Sequence, residues 1–291
     1  MLFAAASLLI LLFTAPAAAV KRSKSDRDIN AIGRRDIVHG DERKFITSTE
    51  KERQLGAQYL ISIEHSVKLI TDPEISSYLS ELAEKIGRNS DAHMPISVVI
   101  LDTNAIDTCT SPGGYQYITR GLLAHTENEG DLASVLAHGV AQTALHLPTR
   151  QQVRQTLMAV FTPMQSTIPV SSCTSLSSLA LNSGVRWTDE LDADYFAVQY
   201  LYKSGYDPDC YLRFVQRTWP VGSKGVTFSQ LPPTHERLNT LRRQIAESLS
   251  PQTQAIVSTS AFEEFQRHLR DLPPLPPEPD QPALIRPTST Q

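Results

Sequence analysis

The chain has 291 residues, with 27 basic and 31 acidic side chains and a formal net charge of -4. That length suffices for one sizeable globular domain, and the charge provides no basic field for nucleic acid or anionic lipid. Long like-charge blocks and internal repeats are absent, which excludes charged interaction tails and solenoid arrays.

Met1 to Val20 is uncharged and rich in Leu and Ala, and Lys21, Arg22 and Lys24 follow at once. Ala17-Ala18-Ala19 fits a small-residue cleavage site behind an apolar segment, so residues 1–19 are expected to be a signal peptide that directs the protein to the periplasm or outside the cell. A positive n-region is missing, and about twenty apolar residues can also span a bilayer; an N-terminal membrane anchor is the alternative. Residues 20–45 are polar and charge-mixed and read as a linker or a loosely docked segment. The spacings of Cys109, Cys173 and Cys210 match no zinc ribbon or redox pair. An exported protein can pair two of them, but small buried hydrophobes is the simpler reading.

A domain is expected over residues 46–271. Thr49 and Glu52 form a capping-box pattern, and Leu55, Tyr59, Leu60, Ile63, Val67 and Ile70 continue it at helical spacing. Asp72-Pro73 stops that helix and opens another, whose apolar stripe is Ile75, Tyr78, Leu79, Leu82, Ala83 and Ile86. Ile96 to Leu101 is a β-branched run and predicts a strand. Pro112-Gly113-Gly114 marks a turn, and Tyr115, Tyr117 and Thr119 alternate after it, predicting an edge strand. Glu127 to His146 reads as a helix that Pro148 ends. Residues 150–185 are apolar and Ser-rich with weak helical periodicity. Thr188 to Lys203 is helical, with Thr188 as N-cap and Gly205 as stop. Helices near 208–218 and 234–248 follow, and residues 272–291 form a Pro-rich tail expected to be disordered. Mostly helix with a small sheet is an α+β domain.

Several segments resemble peptidase family M48, the HtpX- and BepA-like zinc metallopeptidases. Val135-Leu136-Ala137-His138-Gly139-Val140-Ala141-Gln142 is similar to the family's zinc-binding helix, where His-Glu-x-x-His is followed by a further His, here His146. The segment from Pro112 to Leu123 resembles its edge strand and the turn into the next helix, and Glu190-Leu191-Asp192-Ala193-Asp194 resembles its Glu-x-x-Ala-Asp segment. Tyr202 to Pro208 and Pro232 to Arg237 look like its downstream stretches. The resemblance implies a zincin-like domain with a substrate-facing edge strand, here Gly114, Tyr115 and Tyr117, that takes an extended peptide by backbone pairing.

It also implies a zinc site. In such a site two histidines four apart on one helix face and a glutamate from a second helix hold the metal, which leaves a fourth position to water. The metal lowers the pKa of that water, and the glutamate after the first histidine takes its proton. His138 keeps the first ligand position and Glu190 the third. Asp194 keeps a carboxylate that would orient a ligand imidazole.

Gln142 stands at the second histidine position and offers a neutral amide, whereas zinc prefers imidazole, thiolate or carboxylate. Gly139 stands at the general-base position and has no side chain; no acidic residue lies one turn away. Losing a positioned general base forfeits on the order of 100- to 10,000-fold in rate. His146 lies about 12 Å along the same helix from His138, too far to replace Gln142. A histidine that many members place before the Pro-x-Thr segment is here Leu231.

With these changes His138 reads as a hydrogen-bonded core histidine, with Arg186 and Arg237 as candidate partners for Glu190 and Asp194 and with His235 facing solvent. The expectation is an exported metallopeptidase homologue without proteolytic activity, with zinc held weakly or lost, that binds peptides or an envelope protein. The alternatives are an active zinc-dependent endopeptidase with an unusual or partner-completed site, and a structural envelope protein. Changing Gly139→Glu together with Gln142→His is expected to restore zinc binding.

Overall fold

The computed structural model describes residues 23–39, 43–44, 46–161, 187–219 and 234–274. The apolar N-terminal segment, Cys173, Arg186, Leu231 and most of the Pro-rich tail lie outside these residues. Among the described residues no helix is long and apolar enough to cross a membrane.

Four strands, β1 (Leu69–Ile70), β2 (Ser97–Leu101), β3 (Thr108–Ser111) and β4 (Tyr115–Thr119), form a sheet in the order β1-β2-β4-β3. β4 runs parallel to β2, with Ser97 opposite Tyr115 and Leu101 opposite Thr119. It is antiparallel to β3, with Thr108 opposite Ile118 and Ser111 opposite Tyr115. β4 is therefore bonded on both sides. The expectation of an edge strand over Tyr115–Thr119 is overturned, and with it the assignment of Gly114, Tyr115 and Tyr117 as the peptide-pairing backbone; the edge next to β4 is β3. A half-buried edge would alternate inside and outside, but Gln116 to Thr119 are all buried. The β3–β4 turn needs its glycines, because Gly113 and Gly114 have φ of 80° and 82°, a region that costs any residue with a Cβ.

Helix α1 (Lys24–Arg27) precedes α2 (Thr49–Glu64) and α3 (Pro73–Arg88). The cap of α2 is Ser48, whose side chain accepts from Lys51 N, one residue before the expected Thr49. Glu52 does not close a capping box; its carboxylate accepts from His146 Nδ1, at 2.9 and 3.0 Å. α2 also ends at Glu64, and Ile70 belongs to β1 rather than to the helix. Asp72 caps α3 by accepting from Glu74 N and Ile75 N, with Pro73 in the first turn, as the sequence predicts. α4 (Arg120–His125), α5 (Glu129–Ala144) and α6 (Leu147–Phe161) follow the sheet, and α7 (Trp187–Lys203), α8 (Asp209–Thr218), α9 (Thr234–Ser248) and α10 (Ser260–Asp271) complete the described helices. α7 opens at Trp187, so Thr188 lies inside it. Pro148 stands in the first turn of α6, where its missing N–H costs nothing.

The main core joins α3, α5, α7, α8 and one sheet face through Leu79, Ile86, Ile118, Leu136, Val140, Phe196 and Phe214. A smaller cluster of Ile63, Leu101 and Tyr117 lies under α2. The N-terminal stretch is no free linker. Arg35 is buried and bonds Asp91 Oδ2, Asp26 O and Gln199 Oε1, and Tyr200 OH donates to the same Asp91 oxygen. An arginine with its charge and donors matched in this way fixes residues 23–39 to α7. Cys109 is disulfide-bonded, which corrects its reading as a plain buried hydrophobe; Cys210 is free and buried.

Candidate functional site

α5 is buried along almost its whole length: of its 16 residues, all but His138 and Gln142 are buried. These two are four apart and so share a face, which looks toward Glu190 and Asp194 on α7. The helix starts from Asn128, which accepts from Asp131 N, and it ends at Ala144. His146 follows in a left-handed conformation, φ 52°, and is engaged by Glu52 of α2 rather than by the other candidate residues.

His138 is held at both ring nitrogens. Nε2 lies 3.3 Å from Glu190 Oε2. Nδ1 lies 2.8 Å from the Tyr211 hydroxyl and 3.2 Å from Asp194 Oδ1. Tyr211, on α8, donates to Asp194 Oδ1 at 2.5 Å. Arg237, on α9, reaches Asp194 with a fork, Nε to Oδ2 and Nη2 to Oδ1, both 2.7 Å. Of the two arginines the sequence offered, Arg237 is thus a partner of Asp194. Trp219, at the end of α8 and 39% exposed, packs its ring 5.7 Å from the Arg237 guanidinium. Gln142 Nε2 donates to Glu190 Oε1 at a long 3.5 Å, and His235 is exposed.

The charges in this cluster answer one another. Burial works against a charge on His138, but hydrogen bonds and attraction from Asp194 and Glu190 outweigh it and raise the imidazole to about 9. Burial likewise opposes ionisation of Asp194, yet Arg237 and His138 hold its carboxyl well below the usual carboxylate range. The Tyr211 hydroxyl is pushed far up by burial and by Asp194, so it stays a donor. Two cations, Arg237 and protonated His138, therefore face the carboxylates Asp194 and Glu190. Sequence reasoning found His138, Glu190, Asp194 and Arg237 but missed Tyr211, whose place in the apolar stripe of α8 reads as core.

The other surprise is Gln116. It is 1% exposed on β4, and its Nε2 donates to Leu136 O at 3.3 Å. A Cβ placed on Gly139 would lie 2.5 Å from Gln116 Cδ, 2.7 Å from Nε2 and 2.9 Å from Oε1. The amide thus stands where a side chain at 139 would begin.

The sequence profile described as Peptidase family M48 matches residues 70–245, which span α5, α7, α8 and most of α9. This chain belongs to peptidase family M48. Among its relatives, a beta-barrel assembly-enhancing protease of Yersinia pestis is 26% identical over an alignment of 184 residues that covers 58% of this chain and 38% of the relative. A putative beta-barrel assembly-enhancing protease of Vibrio cholerae is 25% identical over 183 residues, with the same shares. The Escherichia coli K12 beta-barrel assembly-enhancing protease is 23% identical over 185 residues, again 58% of this chain and 38% of the relative. The match thus spans about two fifths of the length of these curated relatives.

The M48 family is typically zinc-dependent. Three protein donors and an open position make a catalytic zinc site. In this M48 member His138 and Glu190 are donors of the right kind, and their 3.3 Å separation suits two ligands of one metal. The remaining ligand position, that of the second histidine, carries the amide of Gln142. Asp194 is no replacement, because it stands on the Nδ1 side of His138 with both its oxygens engaged by Arg237. Among the described residues no group of three or more His, Cys, Asp or Glu side chains is placed to hold a metal. The donor set present does not fit a three-ligand zinc site.

Proposed function

We propose that this M48 member binds extended polypeptide in the cell envelope and does not hydrolyse it. The observation that carries this reading is Gly139, which offers no carboxylate to take a proton and has its space filled by Gln116. Hydrolysis in this family needs an activated water and a base. With Gln142 as the third donor, zinc is held weakly or not at all, so both requirements fail together.

What remains is the cluster of His138, Glu190 and Asp194 and, in the same domain, a sheet with an edge strand. Among the described residues β3 is the last strand of the sheet next to β4, and an edge strand is the kind of element that takes an added strand by backbone pairing. The disulfide at Cys109 supports an oxidising compartment, in line with an N-terminal export segment. The relatives are named for β-barrel assembly, and the extended strands of an unassembled barrel have the shape this edge would take.

Fluorescence anisotropy with a labelled extended peptide tests this on the full chain. The expected result is saturable binding that is unchanged by EDTA and leaves the peptide intact. Peptide cleavage that EDTA stops would overturn it, and absence of binding would favour a structural envelope protein. One observation favours a zinc endopeptidase completed by a partner: His138 keeps Nε2 toward Glu190 and Nδ1 toward Asp194, the orientation a ligand needs. That reading requires cleavage to appear only when a partner is added.

A further inference from the structure

We infer that Gln116 has taken the space in which a side chain at 139 would begin, so that the absence of a base at this position is built into the packing of α5 on β4. The inference rests on the reading of the cleft as non-hydrolytic and names the residue that holds it there.

Three observations meet at this point. Glycine in a helix interior is about 1 kcal/mol less favourable than alanine, so Gly139 needs a steric reason, and the approach of Gln116 to 2.5 Å of an added Cβ supplies one. The amide is the far end of a flexible side chain, and elsewhere such a group would swing aside. Here it is buried and donates to Leu136 O, so moving it breaks that bond and leaves a buried amide N–H to be satisfied again. Gly139 O is itself occupied, accepting from Thr143 Oγ1 at 2.9 Å, which ties the helix backbone at the contact. A polar side chain on an inner strand, a glycine on the facing helix and a hydrogen bond between the two elements form one fitted unit. Placing a glutamate at 139 therefore requires Gln116 to leave. The pair Gly139→Glu with Gln142→His, expected from the sequence to restore zinc binding, leaves the new glutamate against Gln116.

The test is a double-mutant cycle in thermal melts of the full chain with EDTA present. Gly139→Ala in the native background is expected to lower Tm by roughly 3 to 6 °C, as overpacking does. In a Gln116→Ala background the same change is expected to leave Tm level or raise it, because the ordinary helical preference for alanine then prevails. If Gln116→Ala does not fold, Gln116→Asn, one methylene shorter, serves as the relaxed background with the same expected change of sign. Equal Tm shifts for Gly139→Ala in the native and relaxed backgrounds would overturn the inference. The readout needs no metal and no substrate: zinc-dependent cleavage by the native protein would end the reading of the cleft without altering this cycle.

Discussion

On α5 the His138 side and the Gly139 side have different neighbours, and the contrast explains what the chain keeps of its family's site. On the His138 side every charged group is buried against another. Asp194 takes a fork from Arg237 and a bond from Tyr211, and His138 lies between Asp194 and Glu190. Removing one member leaves a desolvated charge behind, which is costly. On the Gly139 side no charge remains, and a neutral amide fills the gap. Gly139 leaves no charge to be stranded, and packing alone fills its side. The members of the network hold one another in place, with or without chemistry.

The largest effect expected from that contrast is at its centre. Asp194→Ala strands Arg237 and His138, and should destabilise the protein by about 3 to 5 kcal/mol in urea melts. A loss below about 1 kcal/mol would mean that the cluster does not hold itself together.

Next comes a pH effect. The imidazole of His138 stands at about 9 in the folded chain, above roughly 6.5 in an unfolded one. A raised basic group contributes stability that is complete below pH 6.5 and is lost as pH rises through 9. The stability gap between the native protein and His138→Gln should therefore narrow by on the order of 2 kcal/mol from pH 6 to pH 10. A gap that stays constant would show that His138 gains no proton affinity on folding. The smallest effect belongs to Gln142, whose 3.5 Å bond to Glu190 is long and partly exposed. Gln142→Ala should change stability by less than about 0.5 kcal/mol.

Much of this arrangement is legible in the sequence where local chemistry sets it. Asp72-Pro73 fixes the start of α3, the apolar spacing marks α5, and Tyr206-Asp207-Pro208 precedes α8. His138, Glu190 and Asp194 follow from their order and spacing. The illegible parts depend on residues far apart in the chain. Nothing in Tyr115-Gln116-Tyr117-Ile118-Thr119 tells an inner strand from an edge, because its polar members are buried by distant partners: Gln116 by Leu136, and Thr119 by Ala105 and Asp107. No spacing connects Gln116 with Gly139, or Tyr211 with His138. Residues 23–39 read as polar linker because Arg35 looks like a surface charge until Asp91 and Gln199 are set against it.

Metal analysis of the purified full chain tests most directly whether His138, Gln142 and Glu190 hold zinc. After saturation with zinc and dialysis, well under one zinc per chain should remain, and His138→Ala should leave that figure unchanged. One tightly held zinc per chain, lost in His138→Ala together with peptide cleavage, would contradict the account.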